Sequence, residues 1–335
     1  MNKNLKKTKI IATLGPATSS KETMIQMIQA GVDVFRINFS HADYELVKRN
    51  VDIIREINKE YGYSVSILGD LQGPKLRVGV VKEGSFLNPG DVLTFTNEKM
   101  EGDSTKVYMT YEKFPQDVKV GERILIDDGK LVLEVIETNE VDTVRAKTIQ
   151  GGPLSSKKGV NLPNTNVSLP ALTEKDIEDA NFMLDNEFDW IALSFVRHAQ
   201  DIIDLKDLMA KHPTNKTKTP IIAKIEKPEG VKNIDQILME CDCLMVARGD
   251  LGVEVPMEQV PVIQKNLVNK ARLYAKPVII ATQMMETMIT SLTPTRAEVN
   301  DVANSVLDGA DAVMLSGETS VGKYPVDVVR NMAKI

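Results

Sequence analysis

Apolar residues occur along the chain either in short runs or at every third or fourth position. The points at which this alternation stops and resumes divide the chain into parts. Short apolar runs at 9–14, 32–37 and 64–68 alternate with two longer stretches in which apolar residues recur every three or four positions. A short apolar run indicates a buried strand, and the longer spacing indicates an amphipathic helix. The order strand, helix, strand, helix, strand predicts a parallel sheet at the start of the chain.

Between residues 75 and 169 no convincing helical period is found. Short alternating runs are separated there by Gly, Pro, Asn and Asp, which favour tight turns. We therefore predict a small all-β module, inserted as a domain after the third strand. Its return segment, at 151–163, is punctuated by glycine and proline and could act as a hinge. The runs predicted as strands are 78–81, 92–96, 106–109, 123–126, 131–136 and 143–148.

After residue 173 the alternation of helices and strands resumes. Eight strands alternating with helices predict an α/β fold, a (β/α)8 TIM barrel, with an inserted all-β, barrel-like lid domain after strand 3. The predicted domains are 1–74 (barrel), 75–169 (lid) and 170–335 (barrel). An open doubly wound sheet is the alternative, and no internal repeat is evident. The later strands are predicted at 190–195, 221–225, 243–247, 277–281 and 312–315.

Composition limits the class of protein. The 335 residues are 42% hydrophobic with a formal net charge of −6, as in an ordinary globular protein. This mild acidity argues against a general nucleic-acid or membrane-surface binder. No apolar run has the length of a membrane span or a signal peptide. The two cysteines, Cys241 and Cys243, are too few for a disulfide framework. We therefore expect a cytoplasmic protein without nucleic-acid or membrane partners.

Polar side chains follow most of the predicted barrel strands. The carboxyl ends of barrel strands meet at one rim, where the active sites of such barrels lie. A single polar residue in a loop means little, but the same placement after most strands predicts a site. These residues are Arg36, Asn38, Ser40, Asp70, Lys224, Glu226, Asp250, Thr282, Ser316 and Glu318.

The pair Lys224 and Glu226 ends the fifth barrel strand, and its spacing places both side chains on one face of the strand. Asp250 follows the next strand. Two carboxylates suit a hard divalent ion, and an ammonium group suits an anionic substrate. A structural ion pair is the plainer alternative. The residues fit both phosphoryl transfer and metal-assisted enolate chemistry, and no nucleotide-binding glycine loop decides between them.

Several longer motifs resemble the pyruvate kinase family, and they follow the family's order along the whole chain. The family's fold is a barrel with a β-rich domain inserted after strand three, which agrees with the fold predicted above. The motifs are Arg36–His41, Gly69–Asp70 with Gly73–Pro74, Lys157–Pro163, Lys224–Glu226, Met245–Glu254, Ala281–Glu286 and Leu315–Thr319.

The resemblance implies phosphoryl transfer from phosphoenolpyruvate to ADP, giving pyruvate and ATP in the last step of glycolysis. Glu226 and Asp250 would hold Mg²⁺ or Mn²⁺. Lys224 would stabilise the phosphoryl group in flight and the enolate. Arg36 would bind the substrate phosphate, and Thr282 would take part in protonating the enolpyruvate.

Further roles follow from the same resemblance. The backbone N–H groups of Gly249 and Asp250 would hold the substrate carboxylate, and Lys158 would approach the nucleotide as the lid closes. The residues that would contact ADP or ATP are Asn38, Phe39, Ser40, His41, Arg77 and Lys158.

Lys75 departs from a common family pattern. Many members read Asp-Thr-Lys-Gly-Pro-Glu where this chain reads Asp-Leu-Gln-Gly-Pro-Lys at 70–75. In potassium-dependent members that glutamate lies near a K⁺ ion. An ammonium group carries the same charge as K⁺, so Lys75 predicts that K⁺ is not required; a solvated lysine is the alternative. The matching K⁺ ligands would be Asn38, Ser40, Asp70 and Leu71.

Family members usually continue into a C-terminal domain that carries effector sites and part of a homo-oligomer interface. This chain ends at Ile335, so we expect either a fragment or a protein lacking that domain, without sugar-phosphate activation; its oligomeric state stays open. Two alternative functions remain. A metal-dependent aldolase or lyase acting on pyruvate-type enolates would have no use for the nucleotide residues. A non-catalytic barrel that binds phosphoenolpyruvate is the other.

Overall fold

The structure is a computed structural model that describes residues 6–213 and 219–335, apart from the side chain of His41. It contains strands in a closed barrel and in two smaller sheets. The described strands, in chain order, are β1 (Lys9–Thr13), β2 (Val34–Asn38), β3 (Ser66–Asp70), β4 (Phe86–Leu87), β5 (Val92–Thr96), β6 (Lys106–Tyr108), β7 (Arg123–Ile126), β8 (Leu131–Thr138), β9 (Thr143–Gln150), β10 (Gly152–Pro153), β11 (Val160–Asn161), β12 (Trp190–Leu193), β13 (Ile221–Ile225), β14 (Cys243–Ala247), β15 (Val278–Ala281) and β16 (Ala312–Leu315).

Helices connect the barrel strands, and short 3-10 turns lie between some of them. The described α-helices are α1 (Lys21–Ala30), α2 (Tyr44–Tyr61), α3 (Phe114–Asp117), α4 (Glu174–Asp185), α5 (Ala199–Lys211), α6 (Pro228–Lys232), α7 (Ile234–Glu240), α8 (Arg248–Glu254), α9 (Val260–Leu273), α10 (Arg296–Asp308), α11 (Gly317–Ser320) and α12 (Pro325–Met332).

Eight parallel strands close into the predicted barrel, in the order β1-β16-β15-β14-β13-β12-β3-β2. The open sheet is therefore wrong, because β1 pairs with both β2 and β16. The chain divides into two compact units. The first unit comprises Met1–Gly73, Ala171–Leu251 and Gln259–Ile335, and the second comprises Pro74–Pro170 and Gly252–Glu258. No helix among residues 6–213 and 219–335 is long and apolar enough to cross a membrane.

Polar side chains set the first turns of several helices. Ser20 caps α1 by accepting a hydrogen bond from the Thr23 N–H at 3.2 Å. Thr173 caps α4 and forms a reciprocal capping box with Asp176. These side chains satisfy N–H groups that the first helical turn leaves without partners, which is why Ser and Thr mark helix starts.

Other boundaries differ from the predictions. The sequence predicts one helix over 230–239, but the structure has α6 and α7 on either side of Asn233, whose side-chain amide donates to the Arg197 carbonyl oxygen. The strand expected at 190–195 ends at Leu193, because Phe195 adopts a left-handed φ of 54°. Helix α8 was not predicted, since two glycines within seven residues make a poor helix.

Side chains inside the barrel stack in layers that alternate strands supply, as is usual for this fold. Near the amino ends, two such layers surround a cavity of about 320 Å³. On β3 and β13 the inward positions continue from Leu68 to Asp70 and from Ile222 to Lys224. The apolar interior therefore gives way to charge at the carboxyl ends. The eight side chains of the two layers are Ile11, Leu68, Ile222, Ile279, Val34, Trp190, Cys243 and Ala312.

Four aspartates repeat one contact at the amino ends of the barrel strands. One of them directly precedes every second barrel strand, and each accepts a hydrogen bond from a backbone N–H of the strand before it in sequence. Its own N–H donates to the carbonyl oxygen of the same residue. The strands are thus joined in pairs by a fourfold pattern that the sequence analysis did not detect. The pairs are Asp33 with Ile10 (2.8 Å), Asp189 with Ile67 (2.6 Å), Asp242 with Ile221 (2.8 Å) and Asp311 with Val278 (2.9 Å).

The second unit is built from a six-stranded sheet in the order β11-β7-β8-β9-β5-β6 and the two-stranded sheet β10-β4. Its core is separate and includes the fully buried rings of Phe95 and Phe114. The run predicted as a strand at 78–81 forms only isolated bridges. The single-turn helix α3 lies where no helix was predicted.

Candidate active site

The predicted residues of the first unit gather at the carboxyl ends of the barrel strands. Lys224 lies at the centre, with its side chain only 10% exposed. Its ammonium group is 3.0 Å from Asp70 Oδ1, 3.1 Å from Glu226 Oε1 and 2.6 Å from Ser194 Oγ. Burial alone would lower the pKa of Lys224, but the charges of Asp70 and Glu226 prevail and raise that pKa above its usual value. Lys224 is therefore a permanent buried cation.

Asp70 joins Lys224 to Arg36. Its Oδ2 accepts a hydrogen bond from Arg36 Nε at 2.7 Å, and Arg36 Nη1 donates to Thr13 Oγ1 at 3.0 Å. Burial opposes ionisation of Asp70, yet Lys224 and Arg36 outweigh it and hold the pKa of this carboxyl below its usual range. The carboxylate is thus held between two cations and fixes the position of both.

Glu226 is also a buried carboxylate, but at Glu226 the effect of burial on the pKa outweighs that of the neighbouring cation. Only 1% of the residue is exposed, and its Oε2 accepts the Phe195 N–H at 2.7 Å. Burial raises the pKa of Glu226 to about 7, because the opposing effect of Lys224 is smaller and Asp250 and Asp70 add repulsion. The ion pair with Lys224 therefore does not bring Glu226 below its ordinary pKa. A cation beside Glu226 and Asp250 would relieve this repulsion.

Asp250 follows β14 in the sequence, and its backbone is helical. It lies in the first turn of α8 rather than at the end of an extended strand. The preceding Gly249 donates its N–H to Thr282 Oγ1 at 2.6 Å. A Cβ on Gly249 would lie 3.2 Å from that oxygen, so glycine permits the close approach. The N–H expected to hold a substrate carboxylate is therefore engaged by Thr282 in this structure.

The segment expected to contact a nucleotide forms a 3-10 turn after β2. Asn38 pairs in register with Asp70, and its Oδ1 accepts the Ser40 N–H at 3.1 Å. The ring of Phe39 is fully buried against Phe182 and Phe188, so Phe39 could reach a ligand only through its backbone. The side chain of His41 lies outside the described part of the structure.

The other predicted site residues belong to the second unit. Arg77 Nη1 donates to the Lys157 carbonyl oxygen at 2.9 Å. Lys158 Nζ is 2.9 Å from Asp127 Oδ1, and the hydrogen bond from Lys158 is the main reason why the pKa of Asp127 lies below its usual value. Lys75 is exposed.

Two residues that support the site were not predicted. Ser194 accepts from Lys224 and donates to the Leu71 carbonyl oxygen at 2.6 Å. It directly follows β12, so the rule applied to the other strand ends could have found it. Lys175, on α4, donates to the Phe39 carbonyl oxygen at 2.8 Å. No sequence signal distinguishes Lys175 from an ordinary surface lysine.

The fold and the site together define a (β/α)8-barrel enzyme with an inserted β-rich unit and a buried cluster of charges at its carboxyl-end rim. Residues 5–329 match the family model described as the barrel domain of pyruvate kinase. The chain belongs to the pyruvate kinase family.

Individual relatives agree with the family model. The chain is 50% identical to the pyruvate kinase of Mycobacterium intracellulare, over 98% of this chain and 69% of the relative. It is 51% identical to pyruvate kinase 2 of Synechocystis, over 98% of this chain and 56% of the relative. A solved pyruvate kinase from Cryptosporidium parvum superposes with a TM-score of 0.94 at 40% identity, covering 98% of this chain and 68% of that one. Pyruvate kinase is the function that these relatives support.

Proposed function

We propose that this chain transfers the phosphoryl group of phosphoenolpyruvate to ADP, with Mg²⁺ or Mn²⁺ as the divalent ion. Family membership implies these substrates and a divalent metal. The observation that carries the proposal is the buried cluster of Lys224 and Arg36 around Asp70, with Glu226 beside it. Phosphoryl transfer depends mainly on positioning and on neutralising charge, and a cluster held this rigidly provides both.

Glu226 and Asp250 would hold the divalent ion. Among the described residues, no group of three or more His, Cys, Asp or Glu side chains could bind a metal. Two carboxylates leave coordination positions for water and substrate oxygens, which is the arrangement that Mg²⁺ prefers. Burial raises the pKa of Glu226, repulsion from Asp250 and Asp70 adds to the shift, and a bound cation would oppose these effects. When bound, the ion would withdraw charge from the phosphoryl oxygens and the enolate oxygen.

Lys224 and Arg36 would act directly on the substrate. Lys224 stays protonated because Asp70 and Glu226 surround it, so its charge is available as the bridging phosphorus–oxygen bond breaks and the enolate forms. Arg36 uses Nε and Nη1 to bind Asp70 and Thr13. Within the described residues, Nη2 has no hydrogen-bond partner and would bind a phosphate oxygen.

Thr282 would deliver a proton to the methylene carbon of the enolate. Its hydroxyl donates to the Ala281 carbonyl oxygen at 2.6 Å and accepts the Gly249 N–H. A substrate carboxylate that takes the N–H of Gly249 and Asp250 would release this bond. The Thr282 hydroxyl would then turn away from the Ala281 carbonyl oxygen, pass its proton to carbon and regain one from solvent.

Nucleotide binding is assigned from the family resemblance. Asn38, Ser40, His41 and the backbone of Phe39 would contact ADP from the first unit. Arg77 and Lys158 would do so from the second. Lys158 would have to exchange its bond with Asp127 for a phosphate oxygen. A cytoplasmic location and a homo-oligomeric assembly are likewise proposals that rest on the family.

Independence of K⁺ is proposed from Lys75 and is supported by the groups expected to bind that ion. Both carboxylate oxygens of Asp70 already accept from cationic side chains, and the Leu71 carbonyl oxygen accepts from Ser194. The positive charge that K⁺ supplies elsewhere in the family would come from Lys75.

The test is pyruvate formation from phosphoenolpyruvate and ADP with Mg²⁺, in potassium-free buffer and again with KCl. Activity in both buffers supports the proposal, and activity only with KCl refutes the role of Lys75. No activity from a folded chain would favour binding of phosphoenolpyruvate without turnover. Lys75→Glu is the matched variant, and we expect it to need KCl.

A further inference from the structure

Arg248 has been given no role above, yet its guanidinium group contacts the backbone of the catalytic loop after β15. Nη2 donates to the Thr282 carbonyl oxygen at 2.7 Å and to that of Gln283 at 3.3 Å, and Nε donates to Thr282 at 3.3 Å. Nη2 also lies 2.9 Å from the sulfur of Met284. One side chain thus binds three consecutive residues.

The opposite edge of the guanidinium is itself held in place. Nη1 forms an ion pair with Asp301 Oδ1 on α10 at 2.7 Å and approaches Gln264 on α9 at 3.4 Å. The Arg248 side chain is only 11% exposed. A planar guanidinium fixed on two edges holds its neighbours in one geometry, which a lysine ammonium could not do.

The loop that Arg248 binds has an unusual backbone. Thr282 and Gln283 have φ values of 72° and 53°, in the left-handed region. This region is unfavourable for a β-branched residue such as threonine, and such conformations persist only where surrounding contacts enforce them. The conformation directs the Thr282 hydroxyl towards the Gly249 N–H.

We propose that Arg248 is the positioning residue that holds Thr282 in its left-handed conformation, and so places the hydroxyl that protonates the enolate. The proposal rests on the proposed function for its catalytic consequence, but the conformational part stands on geometry alone. Arg248 touches no reacting atom and acts only through Thr282.

Arg248→Lys tests the proposal, because it keeps the charge and removes the fork. We expect kcat to fall at least tenfold while the KM for phosphoenolpyruvate changes less than twofold. Exchange of the pyruvate methyl hydrogens with deuterated solvent, catalysed in the presence of Mg²⁺ and ATP, should fall with kcat because it also needs the Thr282 proton. A purely structural role would lower the melting temperature without changing either rate per folded molecule.

Two further variants keep the test decisive if Arg248→Lys folds poorly. Asp301→Asn should give a smaller fall in kcat, because it frees one edge of the guanidinium. Its matched control on the same helix is Asp308→Asn, which breaks the exposed pair with Lys265 (2.6 Å) and should leave kcat unchanged. In Arg248→Ala, millimolar guanidinium chloride should restore part of kcat.

A kcat within twofold of the parent chain in Arg248→Lys would overturn the inference, as would equal effects of Asp301→Asn and Asp308→Asn. A parent chain without pyruvate formation would refute the proposed function instead. In that case a crystal structure of Arg248→Lys decides the question of Arg248. A retained left-handed Thr282 would overturn the inference, and a relaxed φ would support it.

Discussion

Replacing Glu226 with glutamine is expected to stabilise the metal-free barrel, and more so at higher pH. Glu226 is almost fully buried, and its pKa of about 7 lies above the ordinary value of 4.5. Between pH 4.5 and about pH 7 the native state binds more protons than the unfolded state. Stability therefore falls as the pH rises from 4.5 to about 7, and the whole penalty is present above that. Glutamine resembles the protonated carboxyl and escapes the penalty.

The size of the stability penalty follows from the two pKa values, about 7 in the folded chain and 4.5 ordinarily. At about 1.4 kcal/mol per pKa unit, they correspond to about 3 kcal/mol at pH 8.5. Glutamine can still accept the Phe195 N–H through its amide oxygen, so that hydrogen bond is kept. Near pH 5 the parent carboxyl is mostly protonated, and the two proteins should have nearly equal stabilities.

The assay is urea unfolding in EDTA at pH 5, 7 and 8.5, followed by tryptophan fluorescence. Trp190 is the single tryptophan of the chain and lies on barrel strand β12, so the signal reports the barrel rather than the second unit. Mg²⁺ should stabilise the parent at pH 8.5 and should have little effect on Glu226→Gln. Such a variant would gain stability while losing its metal site.

Two control variants test whether the effect is specific to Glu226. Glu240→Gln weakens a half-buried surface pair with Lys206 (2.8 Å) and should change stability by less than about 1 kcal/mol at every pH. Asp70→Asn should have the opposite sign and lose stability at neutral pH, because its partners hold the pKa of Asp70 low. If Glu226→Gln were less stable than the parent by a constant amount at all three pH values, Glu226 would be ionised throughout. Our account of its burial would then be wrong.

Three further predictions concern other contacts. Lys224→Met should lower kcat by about 10²–10³-fold with a modest change in the KM for phosphoenolpyruvate, because its charge matters most in the transition state; near-normal turnover would refute its role. Asp242→Ala should cost about 1–3 kcal/mol in urea unfolding, because the buried Ile221 N–H loses its acceptor, whereas Asp242→Asn should cost less. Asp127→Asn should lower the KM for ADP about twofold or more, because it frees Lys158, and an unchanged KM would argue against nucleotide binding by Lys158.

The local pattern of residues in the sequence determined the secondary structure and the placement of several site residues. The barrel strands follow from short apolar runs, the strands of the second unit from alternation, and the helices from a spacing of three to four residues. The cap at Thr173 follows from its own side chain. The two-residue spacing of Lys224 and Glu226 is by itself enough to put both side chains on one face at the end of β13. The family motifs carried the assignment of function.

Only the tertiary structure determined those properties of the site that depend on contacts between residues distant in sequence. The pKa of Glu226 lies above its usual value because burial and Asp250 act on it together, and no local pattern reveals such a balance. Ser194 gained its role only when barrel closure brought it beside Lys224. The left-handed Thr282 is held by Arg248 from another strand end. Such contacts depend on register and burial, which the closed barrel sets and the residues alone do not.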